Sequence, residues 1–240
     1  MFNFLRDSTY GRRSTVNMIK KVFPKPNHEA AILDLGVGFG EDLKMAGTIA
    51  QTTKLYAIDY HDKNRKVLEA NNMTMEVRDI EHDTLPYKDG SFDLVIINMV
   101  LEHVKEIFWI MHGVTRALKR DGHVLIGLPN LVSLANRSRL LFGIQPMCVD
   151  TRLSHVRGFT PQGVKSFMRI PDCYKLVDFQ GTGMTPLPSI LAKIPAKMFP
   201  TLATCIHFLY QRNADYCEGF LEHTDSEIFK VSNFKGAVDD

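Results

Sequence analysis

The segment from Ala30 to Asp42, AAILDLGVGFGED, restricts the fold more than any other part of the sequence. Its apolar run reaches Asp34 and is followed by three glycines at alternate positions, Gly36, Gly38 and Gly40. Glycine adopts positive φ angles without steric cost and lets the backbone approach a ligand closely. A buried strand followed by such a turn predicts a sheet whose edge binds a nucleotide-like ligand.

The chain repeats this alternation of strand and helix as far as Asn130. Apolar, strand-like runs read KLYAIDY, TMEVRDI, FDLVIINMV and HVLIGLPN, with helical patterns GEDLKMAGTIAQ, HDKNRKVLEANN and EIFWIMHGVTRALKRDG between them. The alternation predicts an α/β fold, a doubly wound and mostly parallel sheet with helices on both faces.

The pattern changes after Asn130. Residues 131–170 contain two short helical patterns, and the second begins at Thr160-Pro161, a typical N-cap followed by proline at the first helical position. We expect this segment to form a helical lid inserted after strand five. YKLVDFQGTG and TCIHFLYQR then read as two final strands. The length of 240 residues suits a single domain, 1–240, that includes the lid.

Composition and spacing argue against several kinds of partner. The formal net charge of +2 does not favour a nucleic-acid partner. The four cysteines have no zinc-like spacing, and Asp83 and Asp93 have no further ligands nearby in sequence, so we expect reduced thiols and metal independence. The N-terminal MFNFLRDSTYGRRST has charges where a signal peptide needs an apolar core, which predicts a cytoplasmic protein.

Residues 189–210, SILAKIPAKMFPTLATCIHFLY, have the length of a membrane span. Lys193, Lys197, Pro195 and Pro200 interrupt the apolar run, so stable membrane insertion is not expected. We expect the segment to cover a pocket or to join the core, and peripheral contact with a membrane surface is the alternative.

Three acidic positions indicate the kind of ligand. Asp34 would repel a pyrophosphate but suits an ammonium or sulfonium group, and the G-x-G-x-G spacing differs from the dinucleotide fingerprint. Asp59 ends the second strand, where a carboxylate accepts hydrogen bonds from ribose hydroxyls. Asp79-Ile80 follow the third strand and can bond and pack against an adenine. Together these positions predict a ligand with a cationic amino-acid end, a ribose and an adenine.

The motifs ILDLGVGFGED, LYAIDY, VRDIEHDTLPYKDGSFDLVIINMVLEHV and LKRDGHVLIGLPN resemble those of class I S-adenosylmethionine-dependent methyltransferases. The resemblance covers about residues 28–130 and is closest to the small-molecule branch with the ubiquinone-pathway and sugar methyltransferases. One departure is Val37, where the family often has a smaller residue or cysteine. The resemblance implies a Rossmann-like sheet of seven strands with the last antiparallel, S-adenosylmethionine as cofactor and S-adenosylhomocysteine as product.

The resemblance also implies roles for individual residues. The methionine part of the cofactor would lie at Asp34, Gly36, Gly38 and Gly40, the ribose at Asp59 and Tyr60, the adenine at Asp79 and Ile80, and the methyl group near Asn98 and Met99. The N-terminal YGRRST, with Tyr10 and Arg13, would fold over the cofactor. The N/D-P-P-Y/F motif of base-nitrogen methylases is absent after strand four, which again disfavours nucleic acid.

Methyl transfer is an in-line displacement that needs an aligned acceptor and, for a hydroxyl, removal of a proton. His103 follows strand four and is the candidate base, with a structural or substrate-orienting role as the alternative. Glu102, Arg137, His155 and Arg157 are the candidate substrate residues, because arginine binds phosphate or carboxylate; the alternative is that the lid charges are only solvated. They favour a small polar acceptor such as a nucleotide-linked sugar, methylated at a hydroxyl first and an amine second.

Other functions remain open at this point. A lipid-like or quinone-like acceptor, methylated at nitrogen or oxygen, is the first alternative. An NAD(P)-dependent oxidoreductase is the second, although the glycine spacing, Asp34 and the lack of a Tyr-x-x-x-Lys pair disfavour it. A non-catalytic partner subunit of the same fold is the third, and the intact turn with both acids disfavours it.

Overall fold

The computed structural model describes residues 11–187, 189–216 and 218–224, so Tyr10 and Cys217 lie outside the described residues. The strands are β1 Ala31–Leu35, β2 Lys54–Asp59, β3 Met73–Val77, β4 Phe92–Asn98, β5 Leu118–Pro129, β6 Tyr174–Thr182 and β7 Cys205–Arg212. The α-helices are α1 Arg12–Val22, α2 Glu41–Ala50, α3 Arg65–Glu69, α4 Ile107–Ala117, α5 Leu134–Leu141, α6 Pro161–Phe167, α7 Ser189–Met198 and α8 Gly219–Thr224.

All seven strands belong to one sheet in the order β3-β2-β1-β4-β5-β7-β6. Neighbouring strands are parallel except at β7, which runs antiparallel to β5 and β6. The strand order reverses between β1 and β4, and in open sheets of this kind ligands bind beyond the carboxyl ends at such a point. The predicted doubly wound, mostly parallel seven-stranded sheet with an antiparallel last strand is confirmed.

Both faces of the sheet are covered by helices, because successive strand residues point to opposite faces. On β4, Leu94 and Ile96 belong to the buried cluster formed with α1 and α2. Val95 belongs to the cluster on the other face, formed with α4, α6 and α8. The near-continuous apolar sequence of β4 therefore reflects burial on both sides.

The helix predicted over residues 106–122 is shorter in the structure, since α4 ends at Ala117. Leu118 already pairs with Phe92 of β4, so the sheet takes over at that point. A side chain at Gly122 would approach the carbonyl oxygen of Phe92 to 2.9 Å, which shows how closely this turn packs against the strand. Strand pairing has therefore overridden the helical pattern of residues 118–122.

The connection between β5 and β6, residues 131–170, contains α5, a 3₁₀ helix Met147–Val149, and α6. Thr160 caps α6, because its hydroxyl accepts a hydrogen bond from the backbone N–H of Gly163 at 3.0 Å. Pro161 is the first helical residue, as predicted from the sequence. The role of this segment as a lid remains a prediction.

The segment predicted to cover a pocket or to join the core contains α7 and β7. Ala192 and Ala196 of α7 are buried against Met184 and Ala203, whereas Ile194 is 72% exposed. Within the described residues, no helix is both long enough and apolar enough to cross a bilayer.

Candidate active site

A cleft of about 400 Å³ opens beyond the carboxyl ends of β1, β2 and β4. Its volume lies in the range of about 300–1,000 Å³ that is usual for small-molecule sites. Six of the residues predicted from the sequence line it together: Gly36, Asp59, Tyr60, Asp79, Ile80 and His103.

The turn after β1 depends on its glycines in two different ways. Gly36, Gly38 and Gly40 have φ angles of 70°, 54° and 76°, a region that other residues rarely adopt. A Cβ atom on Gly36 would lie 2.5 Å from Val100, and one on Gly40 would lie 2.5 Å from Leu68. A Cβ atom on Gly38 would meet no atom of the described residues within 4 Å. Gly36 and Gly40 therefore allow tight packing, whereas Gly38 faces open space.

Asp59 connects the end of β2 to this turn. Its Oδ2 accepts a hydrogen bond from the N–H of Gly38 at 3.1 Å, and its Oδ1 accepts one from the N–H of His61 at 3.2 Å. Asn64 donates to the carbonyl oxygen of Gly38 at 2.8 Å from the other side. The carboxylate is held at the cleft in a fixed orientation, as a group that recognises ribose hydroxyls needs to be.

Asp34 is buried just below the turn. Burial raises the pKa of Asp34 well above its ordinary value, and the nearby carboxylates of Asp42 and Asp59 raise it further. A cationic ligand group close to these carboxylates would stabilise their ionised forms. The arrangement fits the sulfonium and ammonium charges of S-adenosylmethionine and does not fit a pyrophosphate.

Asp79 orders the loop after β3. Its carboxylate accepts a hydrogen bond from the N–H of Glu81 at 3.0 Å and contacts the His82 ring at 2.9 Å. The Asp79 N–H in turn donates to Asp83 at 3.0 Å. The adjacent Ile80 packs against the core and also lines the cleft, as an apolar contact for an aromatic ring would.

Asn98 is the last residue of β4, and Met99 connects it to Val100 of the cleft lining. The Asn98 amide donates to Asp42 at 2.7 Å, and its Oδ1 has no hydrogen-bond partner among the described residues. Met99 has a φ angle of 57°, which is strained for a residue with a side chain. Asn98 therefore orients the carboxylate of Asp42. A direct contact of Asn98 or Met99 with the methyl group of a cofactor remains a prediction.

On the opposite side of the cleft, Glu102 and His103 belong to a 3₁₀ helix, Leu101–His103. Glu102 is buried, and burial raises its pKa to about 7. His103 is half-buried, and burial together with His155 lowers its pKa below the ordinary value. The His103 Nε2 lies 4.0 Å from the nearer carboxylate oxygen of Glu102.

The β5–β6 connection brings its residues 154–157 against this 3₁₀ helix. The carbonyl oxygen of Glu102 accepts a hydrogen bond from the N–H of Val156 at 2.8 Å. Ser154 contacts the His103 Nδ1 through its hydroxyl at 3.0 Å, and the His155 ring lies 4.6 Å from the His103 ring between centroids. This contact places His155 beside His103, and its predicted role towards a substrate stays a prediction.

The two arginines predicted as substrate residues are bonded to the protein itself. Arg137 is exposed on α5 and donates to the carbonyl oxygen of Val132 at 2.7 Å. Arg157 donates to the carbonyl oxygen of Lys105 at 3.0 Å and is half-buried. Arg13, expected near the cofactor, is an exposed residue of α1. The structure thus brings His155 to Glu102 and His103, and holds both arginines through backbone carbonyls.

Residues 33–126 match a family described as a methyltransferase domain. The matched range begins in β1, ends in β5 and includes the glycine turn, Asp59, Asp79 and His103. The N-methyltransferase NodS from Bradyrhizobium japonicum, solved with S-adenosyl-L-homocysteine, has the same fold, with a TM-score of 0.57 and 13% identity over 88% of this chain and 91% of that chain. Residues 33–126 are therefore similar to methyltransferase domains, and the sheet has the fold of S-adenosylmethionine-dependent methyltransferases.

Curated relatives of this methyltransferase domain differ in their acceptors. The glycine/sarcosine/dimethylglycine N-methyltransferase of Actinopolyspora halophila is 30% identical over 139 residues, 55% of this chain and 24% of that protein. The demethylmenaquinone methyltransferase of Bacillus mycoides is 28% identical over 107 residues, 42% of this chain and 44% of that protein. The chain therefore spans less than half the length of these relatives.

Sequence reasoning missed several buried or hydrogen-bonded residues near the candidate site. Asn64, Asp42 and Ser154 each hold a predicted site residue in place through a side-chain hydrogen bond. His207 of β7 is fully buried beside Gly127, and neither ring nitrogen has a hydrogen-bond partner among the described residues. Among these residues, only Asp42 could have been found from the sequence, because it lies in the first helical turn after the glycines. The other contacts join segments that are distant in sequence.

Proposed function

We propose that this protein transfers a methyl group from S-adenosylmethionine to a hydroxyl of a small acceptor with a polar reactive end and an apolar, lipid-like or quinone-like body. The observation that supports the reaction most directly is that His103 lines the same cleft as Gly36 and Asp59. A base and a cofactor-binding turn on one cleft are what methyl transfer to a hydroxyl requires.

In this proposal, bound S-adenosylmethionine supplies an electrophilic methyl group on a positively charged sulfur. Gly38 gives the backbone room to approach the methionine part, and Asp34 lies below it as the compensating acid. Asp59 accepts hydrogen bonds from the ribose, with Tyr60 beside it. Asp79 and Ile80 bind the adenine. Support for these roles comes from the fixed Asp59 carboxylate and from the cleft that most of these residues share.

His103 acts on the acceptor. Its lowered pKa keeps the ring neutral near pH 7, so the ring is able to accept the hydroxyl proton as the carbon–oxygen bond forms. The contact with Ser154 at Nδ1 fixes the ring and leaves Nε2 as the nitrogen for that proton. Glu102 and His155 orient the base and the acceptor from either side.

The exposed apolar residues favour an acceptor with an apolar body. On the β5–β6 connection Leu141 is 81% exposed and Phe142 is 76% exposed, and on α7 Leu191, Ile194 and Met198 are exposed with helical spacing. Single exposed apolar residues are ordinary, but groups of them on short segments often indicate a binding surface. The similarity to a demethylmenaquinone methyltransferase also supports this choice.

One observation favours a second candidate acceptor, an anionic one such as a nucleotide-linked sugar. Arg157 is half-buried, and its Nε has no hydrogen-bond partner among the described residues. A phosphate or carboxylate could accept that hydrogen bond. Arg137 would contribute to this acceptor only after its Nε exchanges its present bond to the carbonyl oxygen of Val132.

A direct test is the formation of S-adenosylhomocysteine by the purified protein with three acceptors: a quinol with a short isoprenoid tail, a nucleotide-linked sugar, and glycine as an amine. We expect turnover with the quinol and a product heavier by one methyl group on oxygen. Turnover with the sugar alone would select the anionic acceptor, and turnover with glycine alone would contradict transfer to oxygen. Binding of NAD in place of S-adenosylhomocysteine would favour an oxidoreductase.

A further inference from the structure

Three side chains with metal-binding atoms lie close together at His103, which lines the cleft. One carboxylate oxygen of Glu102 and one ring nitrogen each of His103 and His155 all lie within 4.8 Å of one another. Two of these residues come from the 3₁₀ helix after β4, and the third comes from the β5–β6 connection. Because backbone hydrogen bonds join these two segments at Val156, the cluster does not depend on mobile side chains alone.

The two imidazole rings are oriented as metal-binding histidines usually are. The Nδ1 of His155 lies 2.7 Å from the carbonyl oxygen of Cys148, and the Nδ1 of His103 lies 3.3 Å from the carbonyl oxygen of Ser154. A ring that donates its Nδ1 hydrogen to a carbonyl has an unprotonated Nε2 with a lone pair, and this second contact fixes the ring. In the tautomer with hydrogen on Nδ1, both histidines present Nε2 as the ligand atom, and the Ser154 hydroxyl at 3.0 Å can also accept from the His103 Nδ1.

The carboxylate of Glu102 lacks a compensating charge. The residue is 1% exposed, and its Oε2 has no hydrogen-bond partner among the described residues. A buried carboxylate oxygen without a hydrogen-bond partner is unfavourable for folding. A cation at the carboxylate would stabilise the ionised form and supply the missing partner.

We propose that Glu102, His103 and His155 bind a divalent transition-metal ion, with Zn²⁺ as the best match. Two imidazoles and one carboxylate are a common ligand set of zinc sites that keep an open position. Tetrahedral ligands at about 2.1 Å from zinc lie about 3.4 Å apart, so small side-chain rotations suffice to close the cluster. Mg²⁺ fits poorly, because it prefers oxygen ligands.

The consequence for the reaction rests on the proposed function. Three protein ligands would leave one position of a zinc ion open, and an acceptor hydroxyl bound there would become more acidic. Its proton passes to water, and the methyl carbon exchanges its bond to sulfur for a bond to the acceptor oxygen. Because Nε2 of His103 cannot bind a metal and accept a proton at once, metal binding would make His103 a ligand rather than the base.

The test is a titration of the chelator-treated full chain with Zn²⁺ by calorimetry and with Co²⁺ by visible absorption. We expect one equivalent to bind, with a Co²⁺ spectrum that lacks a sulfur band. His155→Ala and the nearly isosteric Glu102→Gln should each weaken Zn²⁺ binding at least tenfold. His28→Ala is the matched control, because His28 is an exposed histidine bonded to the carbonyl oxygen of Gln51, and it should bind like the unaltered chain.

Equal Zn²⁺ affinity in the unaltered chain and in both cluster variants, or a sulfur band with Co²⁺, would overturn the metal site. S-adenosylhomocysteine titrated into the same samples separates the two proposals. If S-adenosylhomocysteine binds but Zn²⁺ does not bind specifically, the methyltransferase proposal stands and the metal site is wrong. If Zn²⁺ binds specifically but S-adenosylhomocysteine does not bind, the metal site stands and the methyltransferase proposal is wrong.

Discussion

On the β1–β2 side, the cleft is formed mainly by backbone groups. On the side of the 3₁₀ helix Leu101–His103, it is formed mainly by side chains. The first side consists of three positive-φ glycines and one carboxylate, Asp59, bonded to backbone N–H groups. The second consists of Glu102, His103 and residues that are more than 50 positions away along the chain, such as Ser154 at a separation of 51. The proposed cofactor side therefore depends on local backbone geometry, whereas the proposed acceptor side depends on contacts between segments that are distant in sequence.

The largest effect is expected on the acceptor side. His103→Ala should lower kcat about 100-fold or more, because a positioned general base contributes about that much. The affinity for S-adenosylhomocysteine should change less than threefold, since the two sides are built separately. Steady-state kinetics and calorimetry measure both quantities. A parallel loss of cofactor affinity would show that the sides are not independent.

Within the glycine turn, Gly40 and Gly38 are expected to respond differently to substitution. Gly40→Ala should lower the free energy of unfolding by about 2–4 kcal/mol, because the new Cβ would collide with Leu68 in a backbone conformation unfavourable for alanine. Gly38→Ala should cost only about 1 kcal/mol but weaken cofactor binding at least tenfold. Denaturant unfolding and calorimetry distinguish the two, and equal destabilisation would contradict the different roles of these glycines.

His207 lies in the sheet that supports both sides of the cleft. Burial lowers the pKa of His207 to about 4 in the folded protein, whereas its pKa in the unfolded chain is about 6.5. The unfolded state therefore binds more protons between these values, so stability rises with pH there and is lost as the pH falls. We expect about 2 kcal/mol less stability at pH 5 than at pH 7 from this residue.

Replacement of His207 by an apolar residue should remove this loss of stability between pH 7 and pH 5. Urea unfolding of the unaltered chain and of His207→Leu at both pH values measures the difference. An unchanged difference between the two pH values in His207→Leu would assign the acid sensitivity to other groups.

Asp59→Ala is expected to weaken binding of S-adenosylhomocysteine more than tenfold, about 1.4 kcal/mol, because both the ribose contact and the bond to Gly38 are lost. Glu69→Ala is the matched control, an exposed acid on α3 whose ion pair with Arg65 spans 3.4 Å. Its affinity should stay unchanged. Calorimetric affinity that is equal in both variants would remove Asp59 from the cofactor site.

The smallest effect is expected at Arg137. The side chain is exposed and bonded to the carbonyl oxygen of Val132, so Arg137→Ala should change the free energy of unfolding by less than about 0.5 kcal/mol. The KM for an apolar acceptor should also be unchanged. A large rise in KM for a nucleotide-linked sugar would instead show that Arg137 leaves its carbonyl to bind that acceptor.

The sequence predicts the turn and the acid of the proposed cofactor side because their positions depend on local information. The order of strand, glycine turn and acid in residues 30–59 determines the positions of Gly38 and Asp59 without reference to distant segments. The acceptor side could be predicted only as a set of candidates. The contact of His155 with His103 depends on how residues 131–170 fold back, and the end of α4 at Ala117 depends on pairing with Phe92.

The most direct test of the central claim is calorimetric titration of the purified chain with S-adenosylhomocysteine and, in parallel, with NAD. The cleft, with Gly38 beside open space and the fixed Asp59 carboxylate, predicts micromolar binding of S-adenosylhomocysteine and none of NAD. Binding of NAD alone, or of neither ligand, would contradict the assignment of this cleft to a methyl donor.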